Sequence, residues 1–319
     1  MKSFKLFKFK SVDTLLLLVA GVWGSSYLAA KNLTEHGPIA GMLSLRFSMA
    51  ALLMILIWAV GYSRGKFTRF NSWDLRLGAL WGFLVGLIMW IETNSISLTS
   101  ATNAGLIISL TIVFTPVFES IWSRHWLPPK FFIACTGAMV GVALLVGAGG
   151  IQNINFGDVI MLLAALIRAW TTTAQSKLTS GKPVSSFNMT TVQFAVIGLG
   201  YMILVPGEVL ETAQGYELTQ WFVLLYLVGF ASVFGFVGLM FGIRKTSASR
   251  ASLLLSTEPV WAVIIASSIG GETLGWLGLL GAAMIIGFSY WGLGIEASWR
   301  QPTQPEPQSS GSGSHQGSR

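Results

Sequence analysis

The sequence predicts an all-α membrane protein whose ten transmembrane helices form a 5+5 inverted-topology repeat, and three observations predict it. Of its 319 residues 53% are hydrophobic and only 10% charged, and the mean hydropathy is +0.65. A soluble domain carries about 25% charged residues, so this chain has little with which to face water. Two landmarks recur at nearly one spacing. TSATNAGLIIS, Thr99 to Ser109, returns 147 residues later at the head of TSASRASLLLSTEPVW, Thr246 to Trp261; Leu33 and Pro38 return after 145 residues as Leu178 and Pro183. Finally, the basic residues gather between alternate apolar runs, the pattern that fixes membrane orientation.

In chain order, MKSFKLFKFK sets Lys2, Lys5, Lys8 and Lys10 before an apolar run that begins at Leu15 and continues to Ala30. With no small-residue cleavage site in it, this run reads as a first spanning helix rather than a signal peptide. Segments of about 20 residues, the length a bilayer demands, fall near 12–31, 38–60, 75–97, 101–122, 130–148, 157–178, 187–206, 219–241, 251–270 and 273–295. The domains follow: a basic amino terminus over 1–11, a first repeat over 12–148, an outer linker over 149–156, a second repeat over 157–295 and a tail over 296–319. The tail is Pro/Ser/Gly-rich and nearly free of apolar residues, a composition that predicts disorder.

With the amino end inside, 17 of the 20 basic residues lie on the cytoplasmic side, Arg124, Lys177 and Arg250 among them. Lys31 falls outside, and Arg46 and Arg168 fall within the membrane. Outer connections carry Glu35, Asp158, Glu208, Glu211, Glu217 and Glu272 instead. Both termini are therefore expected in the cytoplasm, and a bacterial inner membrane is the expected setting. Five helices per half is an odd number, so the second half must cross in the opposite sense. Asn103 then opens its helix at the outer face, where its counterpart Arg250 opens one at the inner face. Repeats so arranged place a site near the midplane, between the halves.

Several motifs in order resemble the EamA-type members of the drug/metabolite transporter superfamily. They are Trp23-Gly24, Pro38 with Arg46-Phe47, Thr99-Ser100-Ala101, Gly157-Asp158, Thr246-Ser247-Ala248, Glu258-Pro259 and Gly271-Glu272. The match covers residues 12–295. The resemblance implies a ten-helix inverted-repeat carrier, often an exporter of amino acids or other small metabolites. It also implies a central cavity lined mainly by the first, third, fourth, sixth, eighth and ninth helices. One departure concerns the prolines: Pro116 lies seven positions beyond Ser109, but Pro259 only three beyond Ser256. Arg168 and Glu92 are charges that the family pattern does not lead one to expect.

Arg168 falls near the bilayer centre, where a charge costs at least about 2.5–3.5 kcal/mol on insertion scales and so needs a partner or a wet cavity. Thr171, Thr172 and Gln175 share its helix face. Two readings stand beside each other: Arg168 receives an anionic substrate group, or it forms a structural ion pair with Glu92 or Glu258. Glu92 is a candidate for a substrate ammonium or a coupling proton, or is merely solvated near the outer interface. Glu258 precedes Pro259, which cannot donate a backbone hydrogen bond, so a kinked helix with a carboxylate at the kink is expected. Its role is that of a proton or ligand site, or a structural one. Glu119 reads as a gate-stabilising or interfacial residue with Arg124 nearby, and Arg46 as a brace for the second helix. Trp23, Ser26 and Tyr27 share a face of the first helix, Trp23 being the repeat counterpart of Arg168 at an offset of 145. Trp90, Asn103, Ser256, Thr257 and Trp261 complete the candidates.

Other chemistry is excluded or unsupported. The net charge of +7 is spread over short runs rather than one soluble face, which argues against nucleic acid. His36, His125 and His315 fall in connections or the tail, and neither an HExxH metal signature nor a GK[ST] phosphate loop is present. The lone Cys135 lies in an apolar run as a structural thiol. No catalytic residue, metal or cofactor is expected. The expected partners are a small-molecule substrate and the bilayer; protons as coupling ion, and monomer against dimer, stay open. The runner-up function is export of lipophilic cations, with an intramembrane enzyme or a channel behind it.

Overall fold

The structure, a computed structural model, describes residues 11–98, 107–146, 155–270 and 275–299. All regular structure among them is helical. The first half holds α1 (Ser11–Thr34), α2 (Ile39–Ser63), α3 (Ser72–Leu98), α4 (Thr111–Ser123) and α5 (Pro129–Val146). The second holds α6 (Phe156–Thr179), α7 (Ser186–Leu204), a short α8 (Pro206–Gly215), and α9 (Leu218–Tyr226), which runs through a π-wound stretch, Leu227–Phe234, into α10 (Gly235–Lys245). It ends with α11 (Ala248–Leu255), α12 (Glu258–Gly270) and α13 (Trp276–Trp299). Six stretches are long and apolar enough to cross a membrane, with shorter apolar helices at Ser11–Ser26, Ile107–Ser123 and Pro129–Leu145. Ile203 and Leu204, each 77% exposed, belong to an apolar outer surface suited to acyl chains rather than water.

Side-chain contacts sort the helix ends into two groups. At one end, which carries the basic connections, the starts of α1, α3, α7 and α11 meet the ends of α4, α6, α10 and α13. Asp13 and Glu296 both reach Arg250, Glu119 reaches Ser249, Asp74 Oδ1 accepts from the Ser185 amide, and Arg244 reaches Val184. At the far end Tyr216 donates to the Leu33 carbonyl, and Ser95 donates to the Gly157 carbonyl at the start of α6. α1 thus starts at the basic end, whereas α6 starts at the far end.

The recurrences in the sequence reappear in the helices. α1 and α6 each have 24 residues and begin 145 positions apart. The duplicated stretch also carries a helix break at the same place in each copy. Leu110 N bonds Ile107 O, and Leu110 O then accepts from Val113 and Phe114; Thr257 N bonds Leu254 O, and Thr257 O accepts from Val260 and Trp261. Each bond in the second set sits 147 residues after its counterpart. The break was expected from Pro259, but Pro116 lies four positions later in its own copy. The break therefore belongs to the repeat and not to the proline. A hydroxyl works against the regular ladder at each one, Thr111 bonding the Ile108 carbonyl and Thr257 that of Leu254.

Two other expectations change. The eighth segment is not one regular α-helix over 219–241 but α9, the π stretch and α10 together. The acidic outer connection after α7 winds into α8, which has Pro206 at its first position and Glu208 in its first turn, where a carboxylate suits the helix dipole. Asn103, the first copy of the twin stretch up to residue 106, Glu272 and the tail from Arg300 lie outside the described residues; nor is the Tyr27 side chain described.

Small residues allow the closest helix approach. A Cβ on Gly281 would stand 2.6 Å from the Gly141 carbonyl oxygen and 2.7 Å from the Leu145 amide nitrogen, so α5 and α13 meet backbone to backbone, as helices in lipid do through small residues. Gly281→Ala should therefore destabilise by about 1–3 kcal/mol and lower the melting temperature in detergent. Gly287→Ala on the same helix, with nothing within 4 Å of its added carbon, should leave it unchanged. Equal melting of the two variants would contradict this packing.

Candidate functional site

Midway along α6, Arg168 reaches across to α3. Its Nε donates to Glu92 Oε1 at 2.8 Å and its Nη2 to Oε2, a two-pronged pair whose planar fork matches the carboxylate. The Arg168 side chain is 36% exposed and that of Glu92 15%, so the pair is only partly buried. Of the sequence candidates on this helix face, Thr172 caps the Arg168 carbonyl at 2.9 Å. Thr171 is 3% exposed and its Oγ1 has no partner among the described residues, and Gln175 is buried one turn further on.

The remaining candidates fall elsewhere. Trp23, the counterpart of Arg168, reaches from α1 into the π-wound stretch: its indole donates to the Ala231 carbonyl at 2.9 Å and packs edge-on against Phe236. A Cβ on Gly235 would lie 2.4 Å from that indole nitrogen, so the residue has to be glycine for Trp23 to sit there. Ser25 bonds Tyr226, while Ser26 bonds only the Trp23 carbonyl of its own helix. Arg46 donates to Ser232 at 2.8 Å, the brace expected of it. The Trp261 ring packs on Gly21, close to Gly24. Ser256 meets Ser289 at 3.0 Å, and Thr257 bonds its own helix. Glu258 opens α12, half-buried. Trp90 is 54% exposed on the surface of α3. The structure thus gathers Arg168, Glu92, Thr171 and Thr172 at one place, and Trp23 with Phe236 and the π stretch at another.

Two charge clusters at the basic end were not legible as such. Arg250, counted above among the cytoplasmic-side charges, is 3% exposed. Its Nε and Nη2 grip Asp13 of α1 at 2.7 and 2.8 Å, and its Nη1 grips Glu296 of α13 at 2.8 Å. Ser247, the N-cap of α11, adds a hydrogen bond to Glu296. One residue earlier, Ser249 donates its amide and hydroxyl to Glu119 of α4, whose other oxygen lies 3.5 Å from Lys177 of α6. Glu119 joins α4 to α11 and α6, with Lys177 rather than Arg124 as its ion-pair partner. The first turn of α11 therefore ties down α1, α4 and α13, and α6 through Glu119. One signal was available: Asp13 and Glu296 are acidic residues at an end rich in basic ones, which calls for a cation between them.

Comparisons with known proteins agree with this architecture. The sequence profile described as the EamA-like transporter family matches residues 10–147 and again 155–291. The uncharacterized transporter YyaM of Bacillus subtilis is 26% identical over 290 residues, covering 82% of this chain and 90% of its own. The uncharacterized inner membrane transporter YedA of Escherichia coli K12 is 24% identical over 268 residues, covering 81% and 83%. A crystal structure of 18% sequence identity shares the fold with a TM-score of 0.73 over 91% of this chain and 99% of that one.

Arg250→Ala leaves two buried carboxylates without their cation and should cost about 3–5 kcal/mol, seen as a large fall in melting temperature. Arg250→Met combined with Asp13→Asn and Glu296→Gln should recover most of that loss, because an uncharged replacement of a whole buried cluster is often nearly neutral. An Arg250→Ala protein that melts like one carrying Lys130→Ala, a change at an exposed lysine, would contradict the role given to the cluster.

Proposed function

Because the chain belongs to the EamA-like transporter family, we propose that it is a secondary carrier that exports amino acids or similar small zwitterions. In this reading ten spanning segments form two five-helix repeats of opposite sense, and the basic end faces the cytoplasm, as the positive-inside rule requires. The chain works as a membrane transporter and not as an enzyme, and its substrate meets Arg168 and Glu92.

The observation that carries this reading is the partly exposed pair itself. A zwitterion can replace the internal ion pair one charge for one: its carboxylate takes the Arg168 fork and its ammonium takes Glu92. No buried charge is then left unpaired, which is the condition that makes such an exchange cheap in a medium of low dielectric. A lipophilic cation would draw Glu92 from the Arg168 fork without supplying a carboxylate in its place, so the zwitterion is the better fit. Thr171, with a buried free hydroxyl one turn away, offers a further contact. The clusters around Ser249 and Arg250 act as a latch that closes the cytoplasmic end while the pocket is open to the other side. Releasing α11 lets the two bundles rock and reverse the exposure.

The test is counterflow of labelled amino acids in proteoliposomes, where a carrier exchanges external label for internal unlabelled substrate and a channel does not. Arg168→Ala should reduce exchange at least about tenfold, the loss of one charge-assisted hydrogen-bonded contact, while membrane insertion stays normal. Unchanged exchange would remove Arg168 from the site. Proton coupling through Glu92 or Glu258 predicts that Glu92→Gln or Glu258→Gln flattens the pH dependence of exchange. A wild-type pH profile in both variants would exclude coupling through either carboxylate.

A further inference from the structure

Outside the central site, the basic end carries a cleft of about 400 Å³ where the end of α6, the start of α7 and the end of α10 converge. Ser180, Gly181, Ser186, Phe241, Arg244 and Lys245 line it. Arg244 is fixed in place: its Nη1 donates to the Val184 carbonyl at 2.6 Å and to Ser186 Oγ at 2.9 Å. Its Nε and Nη2 have no acceptor among the described residues. Lys245 is exposed beside it, its ammonium 5.8 Å from the Phe241 ring centre, and Phe241 is itself 41% exposed. Gly181 turns with φ +70° and has nothing within 4 Å of its missing side chain, which keeps the mouth of the cleft open. Lys182 is held away, its ammonium 4.2 Å above the Trp73 ring.

The charges present favour a monoanion. Asp74 lies behind the cleft, buried, and its two oxygens accept from the Ser185, Asn71 and Asn188 nitrogens. Set against Arg244 and Lys245 it leaves one net positive charge. We infer that this cleft binds the phosphodiester headgroup of an anionic phospholipid, with Arg244 and Lys245 on the phosphate oxygens, the serine hydroxyls on the remaining acceptors and Phe241 against the glycerol and upper acyl carbons. Basic clefts between spanning helices on a positively charged membrane face take lipid headgroups in this way. A phosphodiester carries a single charge and a tether in the bilayer, whereas free phosphate near neutral pH is a mixture of mono- and dianion and has no tether. The inference needs the chain to lie in a bilayer; it does not depend on which substrate, if any, is carried.

The test is native mass spectrometry of the purified full chain with phosphatidylglycerol and phosphatidylcholine of matched acyl chains. The wild type should retain phosphatidylglycerol with a preference of about fivefold per engaged basic residue. Lys245→Glu should abolish the preference, while Lys130→Glu, an equal change of charge at another exposed lysine of the same end, should preserve it. Absence of any preference, or equal loss in both variants, would overturn the site. Displacement of the lipid by millimolar inorganic phosphate would overturn the lipid assignment and leave a free-anion site. Because no substrate enters the measurement, its failure leaves the carrier reading untouched, and failed counterflow leaves this one untouched.

Discussion

A charge taken out of water must be matched where it lies, and that constraint organises this molecule. Arg250 is the clearest case: buried at the basic end, it holds Asp13 at the start of the first helix and Glu296 at the end of the last. The chain is thereby closed on itself through one guanidinium, across 237 residues in one direction and 46 in the other. Ser249 beside it adds Glu119 and, through it, Lys177. Since all these contacts enter through the first turn of α11, any motion of that turn loosens four helix ends together. Arg168 obeys the same rule midway along the bundle, but its pair with Glu92 is partly open. The cluster at Arg250 is fully buried, and the pair at Arg168 is not.

The duplication supplies the frame and its asymmetries supply the chemistry. α1 packs on α9, the π stretch and α10 of the second half, while α6 packs on α3 of the first. Trp23 and Arg168 occupy matching places in these two arrangements. Trp23 is met by a main-chain carbonyl that the π-wound stretch presents, a type of winding frequent at functional sites. Arg168 is met by a carboxylate. One arm of the pseudo-symmetric pair is thus neutral and aromatic, the other ionic.

Much of this was legible in the sequence because it rests on local or periodic signals. Apolar runs of bilayer length, the 145–147 residue recurrence and the charge bias of alternate connections each follow from residues close together in the chain. Arg168 and Glu92 stood out because charges are rare in such runs, and one of the two pairings considered is the one observed. The rest depended on contacts between distant residues. Arg250 read only as a charge opening a helix at the inner face because its partners, Asp13 and Glu296, lie at the opposite ends of the spanning region. The π winding of Leu227–Phe234 has no composition of its own; Trp23 and Arg46 engage it from other helices. The break at Thr257 looked like the work of Pro259 until the same bonds appeared at Leu110, where the proline stands a turn further on.

The central claim is that the Arg168–Glu92 pocket opens to one side of the membrane and then to the other. It is tested most directly by placing a single reactive thiol there, Thr172→Cys with Cys135→Ser, and treating vesicles of each orientation with a membrane-impermeant maleimide. The account predicts labelling from both faces, slower from the basic end because the cluster around Arg250 closes it. Labelling from one face alone, or from neither in a protein that inserts normally, would contradict it.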